Sequence, residues 1–488
     1  MQARTVEGGS GLVAATMSPI AVRAGIEALR QGGTAADAAA TVALTQVVTA
    51  LGSYVSAAGV LQLVYYDAES GQVSSLNAGW DSWLGETEPA TIPTSVPGQE
   101  GRKTLVPGFM AGIEAMQKRF GRLAFADVFQ PAIWYAENGV AITPLLDSFF
   151  NTRGQVFSRT AEGRQFLQQR AGNRFVQAEL AKTLRGVAKD GAAYMYTGWW
   201  GQQFVEAVRR ESGKATLEDM KRYQPTWEVP RSAMVRGNSV FGPATHNDGG
   251  YQVLAALKLV EERKTYELGP YWKDWRAFRD LSAILQTVQT PGMGNHSDSI
   301  VAIDRWGNIA ALVHSINTVV WGTTGIVVGG VPISDAAVVN KYRLMRMKAG
   351  ERVPNDMAPT IAMREGKPVL ATAAIGSSLT AETVRLLVGI LGNRVDAATV
   401  MAAPPLLFNF EPLKPDETWL RRECLVPAGA YDAAFLDALK SARIAISEKT
   451  RTQVNAIRGT AVLVAIDPQS GSRQSMETPG IFSFAAAQ

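Results

Sequence analysis

The sequence predicts an α+β chain, and three observations carry that reading. Apolar residues recur at helical spacing through much of the first 260 residues. A breaker-rich loop, TPGMGN, interrupts the pattern at 290–295. Alternating strand pairs then follow, one directly after that loop and one near 360–376. At 488 residues, the chain is long enough for two or three domains or one large layered enzyme.

Ser18-Pro19 reads as an N-cap with proline in the first turn, and Ile20, Val22, Ile26 and Leu29 continue a helix that Gly32-Gly33 ends. Thr34 is expected to cap a second helix through AADAAATVALTQVV. Its polar interruptions, Asp37, Thr41, Thr45 and Gln46, mark it as a buried helix and not a membrane span. Val60–Tyr66 reads as a strand, 67–71 as a turn and Gln72–Leu76 as the returning strand. Residues 105–260 read as mostly helical. SDSIVAID, a turn at 305–308 and IAALVHSIN form a sandwich pair, with Val301, Ile303, Ile309, Ala311 and Val313 as its apolar face. TIAMREGKPVLATAAIG forms another, with Gly366 in the turn.

Bulk properties exclude several function classes. A net charge of +4 with no Lys/Arg block gives no nucleic-acid footprint. The one cysteine, Cys424, permits no intrachain disulfide, and His246, His296 and His314 are too scattered to suggest zinc. No cofactor and no membrane partner are expected. No apolar leader is visible at the N-terminus, so a cytoplasmic enzyme is the default expectation, and a mature secreted chain would look the same.

Among common catalytic patterns, GxSxG, HExxH, Walker and dinucleotide loops are absent. Ser297 remains, at a loop-to-strand junction. Spacing alone reads it first as a polar residue at the end of a loop. The same position also suits self-cleavage, in which the hydroxyl attacks the preceding carbonyl and leaves Ser297 with a free α-amine. Such an amine, with a reference pKa of about 7.7–8.0, can serve as base for its own hydroxyl.

The order of segments resembles the gamma-glutamyltransferase family over nearly the whole chain. GLVAATMSPIAVRAGIEALRQGGTAADAAATVAL is similar to its N-terminal helix pair, and VPGFMAGIEAMQKRFGRLAFADVFQPAIWYAENG to its large-subunit signature. TLEDMKRYQPTW and Gly249-Gly250 fit the same pattern. SDSIVAIDRWGNIAALVHSINTVVWGTTGIVV sits where the small subunit begins, and NDMAPTIAMREGKPVLATAAIGSS resembles the strand pair that ends in the oxyanion loop. The resemblance implies a four-layer αββα N-terminal-nucleophile (Ntn) hydrolase, made as a zymogen and cut into a large subunit, 1–296, ending at His296, and a small subunit, 297–488. It implies Ser297 as nucleophile, Ser315 as support for its amine, Asn317 and Ser299 on the substrate side, and Gly376 and Ser377 as backbone donors of an oxyanion hole.

The departures matter as much. The family opens its small subunit with Thr-Thr-His, and this chain has Ser297, Asp298 and Ser299 there. The family's arginine for the glutamate carboxylate is missing from LNAGWDSWLGETEP. Val338 and Val339 stand where its acidic residues would be, and Asn355 and Asp356 replace its paired serines. Losing a charged contact to a buried ion costs several kcal/mol, roughly 2–5. Only 46 residues separate Gly250 from Ser297, so the large-subunit tail is short.

These residues lead to an expected autoprocessing amidohydrolase for a small non-gamma-glutamyl amide, with acyl transfer a minor activity. Two alternatives stand beside it: an uncleaved, non-catalytic scaffold or binding protein, and a gamma-glutamyl hydrolase or transferase with an altered pocket. The expected partners are the amide substrate and the chain's own second fragment, with pairing of two such heterodimers compatible with the family. Trp80, Trp83, Val319, Val320 and Trp321 either line an apolar pocket or pack in the core. Asp356 either faces a cationic or hydroxyl-bearing substrate or caps a turn. Asp298 either tunes the α-amine or is structural, and His314 reads as a satisfied core histidine.

Overall fold

Local chemistry starts the first two helices where the sequence places them. In the computed structural model, which describes residues 5–288, 297–409, 423–478 and 483–488, Ser18 Oγ accepts from Ala21 N–H and begins α1, Pro19–Arg30. Thr34 and Asp37 form a reciprocal capping box at the start of α2, Ala35–Thr49. Every residue of α2 from Ala35 to Val48 is buried. The loop TPGMGN and His296 lie outside the described residues.

Fourteen strands make two sheets. In chain order they are β1 (Thr5–Glu7), β2 (Leu12–Thr16), β3 (Val60–Asp67), β4 (Gln72–Ala78), β5 (Thr226–Glu228), β6 (Arg231–Val235), β7 (Asn238–Gly242), β8 (Ser297–Ile303), β9 (Ile309–Ser315), β10 (Thr360–Arg364), β11 (Lys367–Ile375), β12 (Thr460–Ile466), β13 (Arg473–Glu477) and β14 (Ser483–Ala487). One sheet runs β14-β2-β8-β9-β3-β4-β5 and the other β1-β13-β12-β11-β10-β7-β6. All the pairings within both sheets are antiparallel.

The sheets stack through a shared apolar layer in which Val301, Ile303, Ile309, Ala311 and Val313 meet Ala371, Ala373, Val462 and Val464. On the outer face of the first sheet, Ile300, Ala302, Ala310 and Leu312 pack against α1, α2 and α3 (Phe109–Phe120). On the outer face of the second, Leu370, Ala374 and Leu463 pack against α4 (Asp248–Arg263), α5 (Trp275–Val288) and α6 (Leu379–Leu387). The order is therefore helix, sheet, sheet, helix, as the sequence implied.

Residues 105–260 are mostly helical, and within them β6 and β7 form a hairpin through Arg236 and Gly237, both at positive φ (45° and 78°). A two-residue turn of this kind twists correctly for a hairpin, and its usual Asn-Gly signature is absent.

The aromatic residues that two readings competed for are core. Trp321 is 1% exposed, donates from Nε1 to Leu51 O at 2.9 Å, and is ringed by Phe149, Phe150, Phe157 and Phe166. Trp83 donates to Thr104 O, and Trp80 and Val320 are buried, while Val319 is exposed. Trp321→Ala is expected to cost about 3–5 kcal/mol, because a ring buried among rings leaves a cavity. A urea or thermal melt showing less than about 1 kcal/mol of loss would contradict that packing.

Candidate active site

The β8–β9 hairpin is held at both ends by α2. At its turn, Asp304 accepts from Ala35 N–H at the start of α2, and from Trp306 N–H and Asn308 N–H. At its open end, Gln46 near the close of α2 donates to Thr16 O at 2.7 Å and meets His314 Nε2 at 2.9 Å. The antiparallel register between these anchors pairs Ser297 with Ser315, Asp298 with His314 and Ser299 with Val313.

Alternation sends Ser297, Ser299 and Ser315 to the layer between the sheets, and Asp298 and His314 toward the helices. Ser297 Oγ and Ser315 Oγ lie 2.8 Å apart. Ser315 Oγ also accepts from Asn317 N–H at 2.8 Å, which holds the chain in a left-handed bend at Asn317, φ 51°. The loop beyond is clamped: Thr318 and Thr323 donate to the two oxygens of Asp335 at 2.5 and 2.6 Å, and Trp321 N–H donates to Ser53 O. Ser297 is 7% exposed and Asn317 8%, so both keep a small accessible surface.

Strand β11 crosses above β8 and β9 and ends at Gly376. Gly376 adopts φ 91°, a conformation that favours glycine, and leads through Ser377 and Ser378 into α6. Ser378 does not cap that helix; its hydroxyl donates to Ile457 O instead. The start of α6 therefore offers N–H groups that no capping side chain occupies, with the helix dipole behind them.

Behind β8 lies a sealed polar layer. Thr16 Oγ accepts from Ser299 N–H at 2.9 Å and donates to Asp298 Oδ1 at 3.0 Å. Asp298 is fully buried, and desolvation raises its carboxyl well above the usual carboxylate range. His314 is fully buried against the Phe109 ring, and burial pushes its imidazole down to about 3. Tyr54 belongs to the same environment: desolvation, then the Asp298 charge, raises its phenol. Thr16, Gln46 and Tyr54 were not singled out from sequence, although Gln46 in an otherwise apolar helix was the available signal.

The remaining candidates lie elsewhere. Ser299 is fully buried and tied to β2 through its backbone. Asn355 is fully buried; its Oδ1 accepts from Asn247 Nδ2 at 2.8 Å and from Met357 N–H at 3.1 Å, so it joins a loop to the start of α4. Asp356 does not wait for a substrate cation, because Arg343 donates to it at 2.6 Å and to Asp248 at 2.7 Å. A second arginine, Arg352, is likewise paired with Asp81. No helix among the described residues is long and apolar enough to cross a membrane.

Residues 21–281 match the family described as Gamma-glutamyltranspeptidase. The chain is 24% identical to the Glutathione hydrolase proenzyme of Escherichia coli (strain K12), over 90% of this chain and 86% of that protein. It is 23% identical to the Acylase ACY 1 proenzyme of Pseudomonas sp. (strain SE83), over 82% of this chain and 83% of the relative. The crystal structure of cephalosporin acylase from Bacillus halodurans superposes with a TM-score of 0.83 at 18% identity, covering 99% of this chain and 97% of that one. That likeness shows a shared fold, two stacked sheets between layers of helices.

The buried imidazole gives a pH signature. A histidine lowered from 6.5 to about 3 stabilises the fold above its unfolded value and loses that contribution as pH falls from 6.5 toward 3, by up to about 5 kcal/mol. Asp298 runs oppositely, since a raised carboxyl contributes below about pH 3.9 and loses that contribution as pH rises. His314→Gln should therefore narrow the drop in urea midpoint between pH 7 and pH 4. An unchanged drop would show that His314 is not held neutral.

Proposed function

The chain belongs to the gamma-glutamyltranspeptidase family, and we propose that it is an autoprocessing Ntn amidohydrolase cleaving a small amide other than a gamma-glutamyl one. The observation that carries this is the 2.8 Å contact of Ser297 Oγ with Ser315 Oγ at the first residue of β8. The names of the relatives, hydrolase and acylase proenzymes, support a chain made as a precursor for amide chemistry.

Processing begins when Ser297 Oγ attacks the carbonyl carbon of residue 296. The C–N bond breaks as the C–O bond forms, and the proton leaving Oγ ends on the new amine. Water then hydrolyses the ester, giving fragments 1–296 and 297–488. In turnover, the α-amine of Ser297 takes the Oγ proton, Oγ attacks the substrate carbonyl, and the same proton passes to the leaving amine. Ser315 orients the hydroxyl, and Asn317 presents its amide to the substrate. The N–H groups of Gly376 and Ser377 face the developing oxyanion, worth roughly 3–4 kcal/mol per donor. Water releases the acyl group, and an amine acceptor in its place would give transfer.

The acyl group is argued from what is missing. The segment 76–89 holds no arginine, and Val338 and Val339 carry no charge. The nearby cations Arg343 and Arg352 are already neutralised by aspartates. A gamma-glutamyl head group brings two charges, and none of these residues answers them.

Purified wild type should run as two fragments, and Ser297→Ala as one chain of 488 residues; two fragments from that variant would refute the assignment. A gamma-glutamyl anilide should be hydrolysed about 100-fold or more less efficiently than an uncharged acyl anilide. Equal kcat/KM for the two would restore the gamma-glutamyl reading.

A further inference from the structure

Asp298 is the immediate neighbour of the nitrogen that processing would convert from an amide to an amine. Its carboxyl has no access to solvent, Oδ1 accepts the Thr16 hydroxyl at 3.0 Å, and Oδ2 has no partner among the described residues. Across the strand pair, His314 Nδ1 is also buried without a partner. The groups around Asp298 are a hydroxyl on β2, an imidazole on β9, an amide on α2 and a phenol after α2. None of them is a cation. Farther away, Asp335 is held by Thr318 and Thr323, and Arg458 has its backbone against the Gly376 turn. A buried acid without a cation carries a large desolvation cost.

Processing supplies the cation. We propose that Asp298 is the counter-ion of the Ser297 α-amine in the processed protein, a positioning residue that holds this base near neutral pH. The inference rests on the reading of Ser297 as the self-exposed nucleophile. Hydrolysis of the 296–297 bond adds one water and leaves an α-carboxyl on residue 296 and a free amine on Ser297, beside the Asp298 carboxyl. One proton then moves from Asp298 to the nitrogen, giving ammonium and carboxylate with no change in net charge. Burial at Ser297 favours the free amine, and the adjacent carboxylate opposes it, so the two effects keep the base close to its working pH. Thr16 serves both sides of this arrangement, because its hydroxyl holds the carboxyl and receives Ser299 N–H.

The test uses the processed enzyme and phenylmethylsulfonyl fluoride, with Ser297 labelling followed by intact mass across pH. In Asp298→Asn the acid limb of the labelling rate should move down by about one pH unit or more, with the plateau rate largely kept. An unmoved limb with a lowered plateau would make Asp298 merely structural and overturn the proposal, as would an upward shift. A second measurement does not depend on that variant folding. Infrared difference spectra should show a protonated carboxyl in uncleaved Ser297→Ala that is missing from processed wild type. Its persistence after processing overturns the proposal while leaving the nucleophile standing. A wild type that stays one chain and takes no label removes the nucleophile reading, and this inference with it.

Discussion

An antiparallel register of seven residue pairs, Ser297–Ile303 against Ile309–Ser315, sets the geometry on which the rest depends. With a period of two, a slip of one residue would carry Ser297 to the helix side and put Asp298 between the sheets. The register is held by attachment at both ends to one helix. Asp304 binds the first turn of α2, and Gln46 binds β2 and β9 near its last turn. From Ala35 to Gln46 a helix rises about 17 Å, and six strand residues span about 20 Å. The helix is therefore a gauge of nearly the same length as the hairpin it fixes, and its burial over fourteen consecutive residues keeps it from sliding.

Polar groups in this frame are divided by the strand itself. The face toward the second sheet carries hydroxyls, with Ser297 against Ser315. The face toward the helices carries an acid whose carboxyl burial raises and an imidazole that burial lowers to about 3. Once a charged nitrogen exists at residue 297, the same face responds, because a carboxyl in a dry setting interacts strongly with a new cation.

Much of this was legible in the sequence because local rules governed it. Ser18-Pro19 and Thr34 set their helix starts through caps, and Gly366 turns its hairpin. Where a residue's fate depended on a distant partner, sequence could only leave alternatives. Asp356 was expected at a substrate or a turn, and Arg343 claims it. Trp83 and Trp321 read as pocket-lining or as core or subunit-interface residues until their ring neighbours and carbonyl acceptors were known. The β6–β7 hairpin escaped notice because Arg236-Gly237 makes its turn without the usual asparagine. Thr16 lies 283 residues from Ser299, and only the sheet order brings them together.

The central claim is that Ser297 is an exposed N-terminal residue with a reactive hydroxyl. Reaction of the purified protein with a sulfonyl fluoride, followed by tandem mass spectrometry, addresses both parts at once. The account predicts a fragment whose first residue is Ser297, modified on its side-chain oxygen and carrying a free α-amine. A peptide in which Ser297 is still joined to His296 and is unmodified would contradict it.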